Sequence, residues 1–170
     1  ISLLAADAPR VLKAIDAARA AARTRAWLLA GEHAPDSGMS VEHPLIVDVD
    51  ATLVTAHSDK EHAKPTFKKG YGFHPLCVFV DHGRDGTGEP LALLLRPGNA
   101  GSNTAADHIT VLRQAFKQLP GRSATRPGKR VLVRADGAGH SHQLLDWLTG
   151  QRVQYSVGWT LPSDAGMLIE

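Results

Sequence analysis

The 170-residue sequence predicts an α/β fold. Its core is one mixed sheet, three antiparallel strands and then parallel strands, flanked by helices and preceded by a helical lead-in. Three observations predict it. Runs rich in β-branched and apolar residues recur from Leu45 onward and have strand length. The earlier runs are separated by loops bearing Gly, Pro and polar residues, whereas the later ones alternate with amphipathic stretches of helical period. Hydrophobic residues make up 43% of the chain and charged residues 21%, so a buried core is expected and extensive disorder is not.

The lead-in helix is predicted over residues 7–30, with Val11, Ile15, Ala18 and Ala22 on one face and Arg and Lys opposite. Asp7 is placed as N-cap, Pro9 in the first turn and Gly31 at the end. Pro35, Asp36, Ser37 and Gly38 then mark a loop. Residues 1–40 thus read as an N-terminal helical segment with a linker, and 41–170 as the main domain. The first strand is predicted over 45–54, where two acids are set into the run LIVDVDATLV. A polar loop follows to His74, then a second strand over 76–81, a turn cluster over 82–89, and a third strand over 90–96. Pro97 to Gly101 break the chain. The helix predicted over 103–119 carries an apolar stripe of Ala105, Ile109, Leu112, Phe116 and Leu119, with Ser102, Asn103 and Thr104 as capping residues. A fourth strand over 130–135 ends at Asp136; a short helix over 141–148 puts Trp147 and Leu148 in the core, and a fifth strand spans 153–158. Strands joined by loops alone should be antiparallel neighbours, and those separated by helices should be parallel. A mixed sheet of this order with helices on both faces is the RNase H-like arrangement.

Composition excludes several classes. The formal net charge is only +2 with His neutral, which is not that of a polybasic tail, and the sequence pI of about 8.9 permits a nucleic-acid partner without requiring one. Cys77 is the sole cysteine, which excludes an internal disulfide and a cysteine-rich zinc site and suits a reducing cytoplasm. The nine histidines form no tight metal-binding pair. No apolar run is long enough to span a membrane, and no signal peptide is visible. The chain starts at Ile1 and stops at Glu170 just after an apolar stretch, so it reads as a fragment that is expected to be inactive in isolation.

Asp48 and Asp50 are the most informative pair. A strand places alternate residues on one side, so both carboxylates face the same way. A carboxylate in an apolar strand is costly unless it is paired, hydrogen-bonded or bound to metal, and two together favour a cation nearby. The alternative is that one caps the following turn and the other is exposed on an edge. Asp136 follows a strand and enters a Gly-rich turn, where α/β proteins place ligand-binding residues. Alone it would be an ordinary Asp-Gly turn. If the first and fourth strands lie side by side, Asp50 and Asp136 can share a hard divalent cation.

Four blocks carry a family resemblance: IVDVDATLVTAH at 46–57, FKKGYGFHPL at 67–76, LRPGNAGSNT at 95–104 and VRADG at 133–137. Together they resemble transposases of the IS1380 type, over residues 41–162. The resemblance implies a DDE transposase with an RNase H-like core and two divalent ions, Mg²⁺ or Mn²⁺. It also implies cleavage and transfer of DNA strands at terminal inverted repeats and target DNA, and a homodimer in the bacterial cytoplasm, associated with the nucleoid and not with membrane. Asp50, in an Asp-x-Thr context, matches the first catalytic acid; Asp136 matches the second; Asp48 is a candidate metal ligand, either as an alternative to Asp50 or auxiliary to it. The third acid is expected to be a glutamate beyond Glu170. Gly137-Ala138-Gly139 departs from the family's frequent Ser-Gly-aromatic run, which bears on the local turn.

Two basic groups are candidates for DNA contact. Lys60, Lys64, Lys68 and Lys69, beside Asp59 and Glu61, either track phosphates or belong to a solvated loop. Arg130, with Arg122, Arg126 and Lys129, has the same two readings. For Phe67, Tyr71 and Phe73 core packing is expected over base stacking, and for His140 and His142 a plain surface role.

Two rival functions stand beside the transposase. In a HAD-type phosphatase Asp48 would be the nucleophile and Asp50 the general acid/base, but Ala51 replaces the usual Gly, further strands follow, and no later acidic pair is present. The other rival is a non-catalytic DNA-binding remnant.

Overall fold

The computed structural model describes residues 7–83, 86–102 and 104–159. Its centre is the predicted first strand, β1 (Leu45–Ala51), whose residues alternate between buried and exposed or half-buried. Leu45, Val47 and Val49 enter the core, and Ile46, Asp48 and Asp50 take the other face, as a period of two requires.

The run predicted as one strand to Val54 stops at Ala51. The Thr52 N–H donates to the Pro75 carbonyl, and the chain leaves the main sheet. It forms β2 (Val54–Thr55), β3 (Lys64–Pro65) and β4 (Tyr71–Phe73), a separate sheet in the order β2-β4-β3 where a polar loop was expected. Strands this short carry no alternation to read, and their pairing depends on partners distant in sequence.

β5 (Leu76–Val80) and β6 (Glu89–Leu94) form the expected antiparallel hairpin, with a bulge opposite Val78 and Phe79. β7 (Val131–Ala135) and β8 (Gln154–Val157) complete a five-stranded sheet in the order β6-β5-β1-β7-β8. β5 is antiparallel to β1 and β6, whereas β7 is parallel to both β1 and β8. The mixed RNase H-like topology is therefore the predicted one.

Among the described residues three α-helices cover the Val47 and Val49 face, α1 (Ala8–Ala30), α2 (Ala105–Phe116) and α3 (His142–Gly150). Helices on both faces were expected, but the opposite face carries Asp48, Asp50 and Arg134 and opens on a cavity instead. α2 lies on β5 and β6 and contacts α3, where Phe116 stacks on Trp147 at 5.9 Å. Val47, Val133, Leu112, Phe116 and Leu148 are almost wholly buried, and each stabilises the fold by about 1.5–3 kcal/mol. The Ser141 hydroxyl caps α3 by accepting from the Leu144 N–H. Thr104 is the N-cap residue of α2 but makes no side-chain cap, and Asn103 lies outside the described residues.

α1 packs through a different face from the one expected. Ile15, Ala18 and Ala22 are exposed, while Arg23 and Trp27 are buried. Arg19 donates to the Pro90 and Leu91 carbonyls, and Arg23 reaches the Glu89 carboxylate, the Pro90 carbonyl and Gln118. Trp27 Nε1 donates to Glu89 at 3.0 Å. Arginines turn inward here because the edge of β6 supplies a carboxylate and carbonyls, and Gln118 a side-chain oxygen, to the donors of Arg23.

The Pro97–Gly101 segment is clamped by Arg96. This 4% exposed side chain donates to the His74 carbonyl at 2.9 Å, to the Gly101 carbonyl at 2.9 Å and to Asp107 at 3.2 Å. It ties β6, the β4–β5 link and the first turn of α2 together. Gly98 fits against the small sheet so closely that a Cβ would stand 2.3 Å from the Lys64 carbonyl oxygen.

Candidate functional site

The half-exposed face of the sheet carries Asp48 and Asp50 on β1 and Arg134 on β7. The parallel register pairs Asp48 with Arg134 and Val49 with Ala135. Asp50 and Asp136 are therefore the next residues along, level with each other where β1 and β7 end. Both line one open cavity of about 770 Å³, together with Asp48, Arg134, Phe79 and Gly88.

Asp136 leaves the strand with its Oδ1 accepting from the Ala138 N–H at 2.9 Å, which caps the 3₁₀ turn Gly137–Gly139. Asp50 Oδ1 accepts from the Ala51 N–H at 2.8 Å. Each carboxylate thus has one oxygen fixed by backbone, and among the described residues Oδ2 of each makes no hydrogen bond. Both side chains are exposed. Paired oxygen donors on rigid neighbouring strands suit a hard divalent cation. Among the described residues no group of three or more His, Cys, Asp or Glu side chains is assembled to hold a metal.

Asp48 is arranged differently. Arg134 donates from Nε to one of its oxygens at 2.6 Å and from a terminal nitrogen to the other at 2.8 Å. The same terminal nitrogen donates to Asp81 at 2.9 Å. The hydrogen bonds Arg134 donates to Asp48, with the charges of Asp48 and Asp81, raise the Arg134 pKa well above its ordinary value. Arg134 and Asp81 were not singled out from the sequence. Their signal is faint: an Arg inside an apolar strand two residues before Asp136.

Opposite Asp50 in the antiparallel register sits buried Cys77. Burial, and then the Asp50 charge, push its thiol pKa up, so it stays protonated. Exposed His140 meets Trp159 edge-on at 5.3 Å beside the Asp136 turn. His142 is exposed at the start of α3.

β2, β3 and β4 leave from the Ala51 end of β1 and return to the Leu76 end of β5, so the small sheet stands at the same end of the main sheet as Asp50 and Asp136. It brings exposed Lys60, Lys64, Lys68 and Lys69 to that end. Among the described residues none of the four forms a salt bridge, whereas Glu61 pairs with His62 and Asp59 accepts from the Tyr71 hydroxyl. Arg130 is exposed at the opposite end of β7, a strand length or about 20 Å from Asp136. The core expectation for the aromatics is corrected: Phe67 is 69% exposed and Tyr71 37% exposed, and only Phe73 is half-buried. The hairpin they occupy has too few residues behind it to enclose a ring.

The family model described as transposase DDE domain, group 1, matches residues 5–165. No curated protein matches. Among the described residues, no helix is long and apolar enough to cross a membrane.

Proposed function

The chain belongs to the transposase DDE domain group 1 family, and on that premise we propose that it carries the acid site of an insertion-sequence transposase that cuts and transfers DNA strands at terminal inverted repeats. The observation that carries this reading is the level placement of Asp50 and Asp136 at the ends of adjacent parallel strands, in one open cavity. The IS1380-type subgroup is the finer assignment, supported by the four sequence blocks and their order.

Asp50 and Asp136 are the proposed catalytic acids and would hold Mg²⁺ or Mn²⁺. Two such ions would activate the attacking water or 3′-hydroxyl and stabilise the leaving oxygen. The chain's own contribution is positional. Backbone N–H groups fix one oxygen of each acid, and the other, which makes no hydrogen bond among the described residues, would be available to a cation. Asp48 is the auxiliary acid, restrained by Arg134, whose guanidinium offsets part of the negative charge beside the cavity. Lys60, Lys64, Lys68 and Lys69 would receive the phosphate backbone beside the acids, and Arg130 would meet DNA that runs along the open face. A homodimer acting on paired ends, in the nucleoid, is the assembly this reading entails.

A phosphatase centred on Asp48 fits less well. Both oxygens of that would-be nucleophile are engaged by Arg134, and β1 has an antiparallel neighbour in β5. The deciding experiment is metal-dependent cleavage of terminal inverted-repeat DNA by the full-length protein. Asp50→Asn and Asp136→Asn should each lower it by about 100-fold or more while DNA binding persists, since even outer-shell partners of metal sites cost 10–100-fold. Undiminished cleavage by both variants would overturn the proposal.

A further inference from the structure

The tip of the β3–β4 hairpin has features that phosphate tracking alone does not require. Residues Thr66 to Lys69 form a tight turn, closed by the Lys69 N–H donating to the Thr66 carbonyl at 3.0 Å, and Lys69 adopts a left-handed φ of 61°. The Thr66 hydroxyl accepts from the Gly70 N–H at 3.1 Å, and the Thr66 N–H donates to the Gly70 carbonyl at 2.8 Å. The turn is therefore well braced, and its base is docked on Gly98. Phe67 projects from it, 69% exposed. The Lys68 ammonium stands over the Phe67 ring, 5.7 Å from its centroid, and the His74 ring lies 5.6 Å away on a tilt of 53°. Leaving a large apolar ring in water on a rigid turn forgoes roughly 1.5–3 kcal/mol of burial. A ring presented this way, among lysines that form no salt bridge with any described residue, matches how single-stranded nucleic acid is held: a cationic surface tracks the backbone while bases stack on aromatic faces.

We propose that Phe67 is a stacking platform for an unpaired DNA base, with Lys68 and Lys69 receiving the flanking phosphates. The base would take the place of the Lys68 ammonium over the ring, freeing that charge to meet the phosphate next to the stacked nucleotide. The hairpin stands at the acid end of the sheet, so the unpaired base would belong to the strand segment near the phosphate that is cut. This inference rests on the DNA-transposase reading for its partner, but Phe67 is not part of the acid site.

The test is anisotropy of a labelled, mixed-sequence single-stranded oligonucleotide and of its duplex, titrated with the chain at several salt concentrations. Phe67→Ala should weaken single-strand binding by about tenfold, within the range of stacking effects on alanine substitution, and leave the salt slope unchanged. Phe67→Trp should restore affinity. Lys68→Gln and Lys69→Gln should each reduce the single-strand salt slope by about 0.7. Thermal unfolding should not change with Phe67→Ala, because the ring is outside the core. The proposal is overturned if Phe67→Ala binds the single strand as tightly as wild type, if it loses duplex and single strand equally, or if wild type does not bind the single strand. A protein that cleaves through Asp50 yet ignores Phe67→Ala defeats this inference alone. One that stacks through Phe67 yet never cleaves defeats the transposase reading alone.

Discussion

Arg134 and Asp48 face each other across β7 and β1, and the guanidinium grips both carboxylate oxygens at 2.6 and 2.8 Å. Planar two-point pairing of this kind is the strongest geometry open to the two groups. It separates the acids of β1 into one that is paired with an arginine and one, Asp50, that forms no salt bridge among the described residues.

That separation predicts a difference between neighbours. Asp48→Asn should leave Mn²⁺ binding nearly intact, and Asp50→Asn should abolish it, as read by isothermal titration. The Asp48–Arg134 pair is partly exposed, so a double-mutant cycle with Asp48→Asn and Arg134→Gln should show a coupling of about 1 kcal/mol and no more. Loss of Mn²⁺ binding in Asp48→Asn to the level of Asp50→Asn would place Asp48 among the primary ligands.

Cation binding should also stabilise the fold. At a Mn²⁺ concentration about 100 times Kd, linkage adds about 2.7 kcal/mol. For a domain of this size each kcal/mol moves Tm by about 2–4 °C. The Tm rise should appear in the wild type and vanish in Asp50→Asn and Asp136→Asn. Both of these exposed substitutions should otherwise stay within about 0.5 kcal/mol of wild type without metal. An equal Tm rise in either variant would remove that residue from the ligand set.

Glu89 predicts an acid limit. Burial raises its pKa, but hydrogen bonds from Trp27, Arg23 and His82 and the Arg23 charge outweigh burial, and the net shift is downward from 4.5. A carboxyl with a lowered folded pKa stabilises the fold fully above its unfolded value, and that contribution is lost as pH falls through the folded value. Resistance of wild type to urea should fall below about pH 4.5 for this reason. Glu89→Gln should cost about 2 kcal/mol at neutral pH, as expected for lost hydrogen bonds to charged groups, and the gap should narrow in acid. A gap that stays constant with pH would show that the carboxylate charge is not the cause.

Gly98→Ala should loosen the small sheet. Its Cβ would meet the Lys64 carbonyl oxygen at 2.3 Å and the Gly72 carbonyl oxygen at 2.8 Å, both backbone atoms. Overpacking of this sort costs about 1–3 kcal/mol. Hydrogen exchange at Lys64 and Gly72 should speed up, and DNA affinity should drop, while Mn²⁺ binding at Asp50 and Asp136 is kept. Unchanged exchange at those amides would mean that the loop gives way instead.

The main sheet was legible in the sequence because its signals are local. Period-two burial in LIVDVDA and in VLVRA needs only neighbouring residues to be read, and so does the Asp-Gly turn that ends β7. The placement of Asp50 beside Asp136 followed from strand order. What tertiary structure alone decided is set by contacts between distant residues. The small sheet joins strands of two or three residues that have no pattern of their own. α1 turned its arginines inward because Glu89 and the carbonyls of β6 were there to receive them. Arg134 chose Asp48 and Asp81 across 86 and 53 residues of chain. Phe67 stayed in water because a two-stranded tip has no second layer to bury it. Strand propensity and periodicity act over a few residues and so can be read along the chain, whereas ion pairing, sheet docking and exposure depend on what folding brings near.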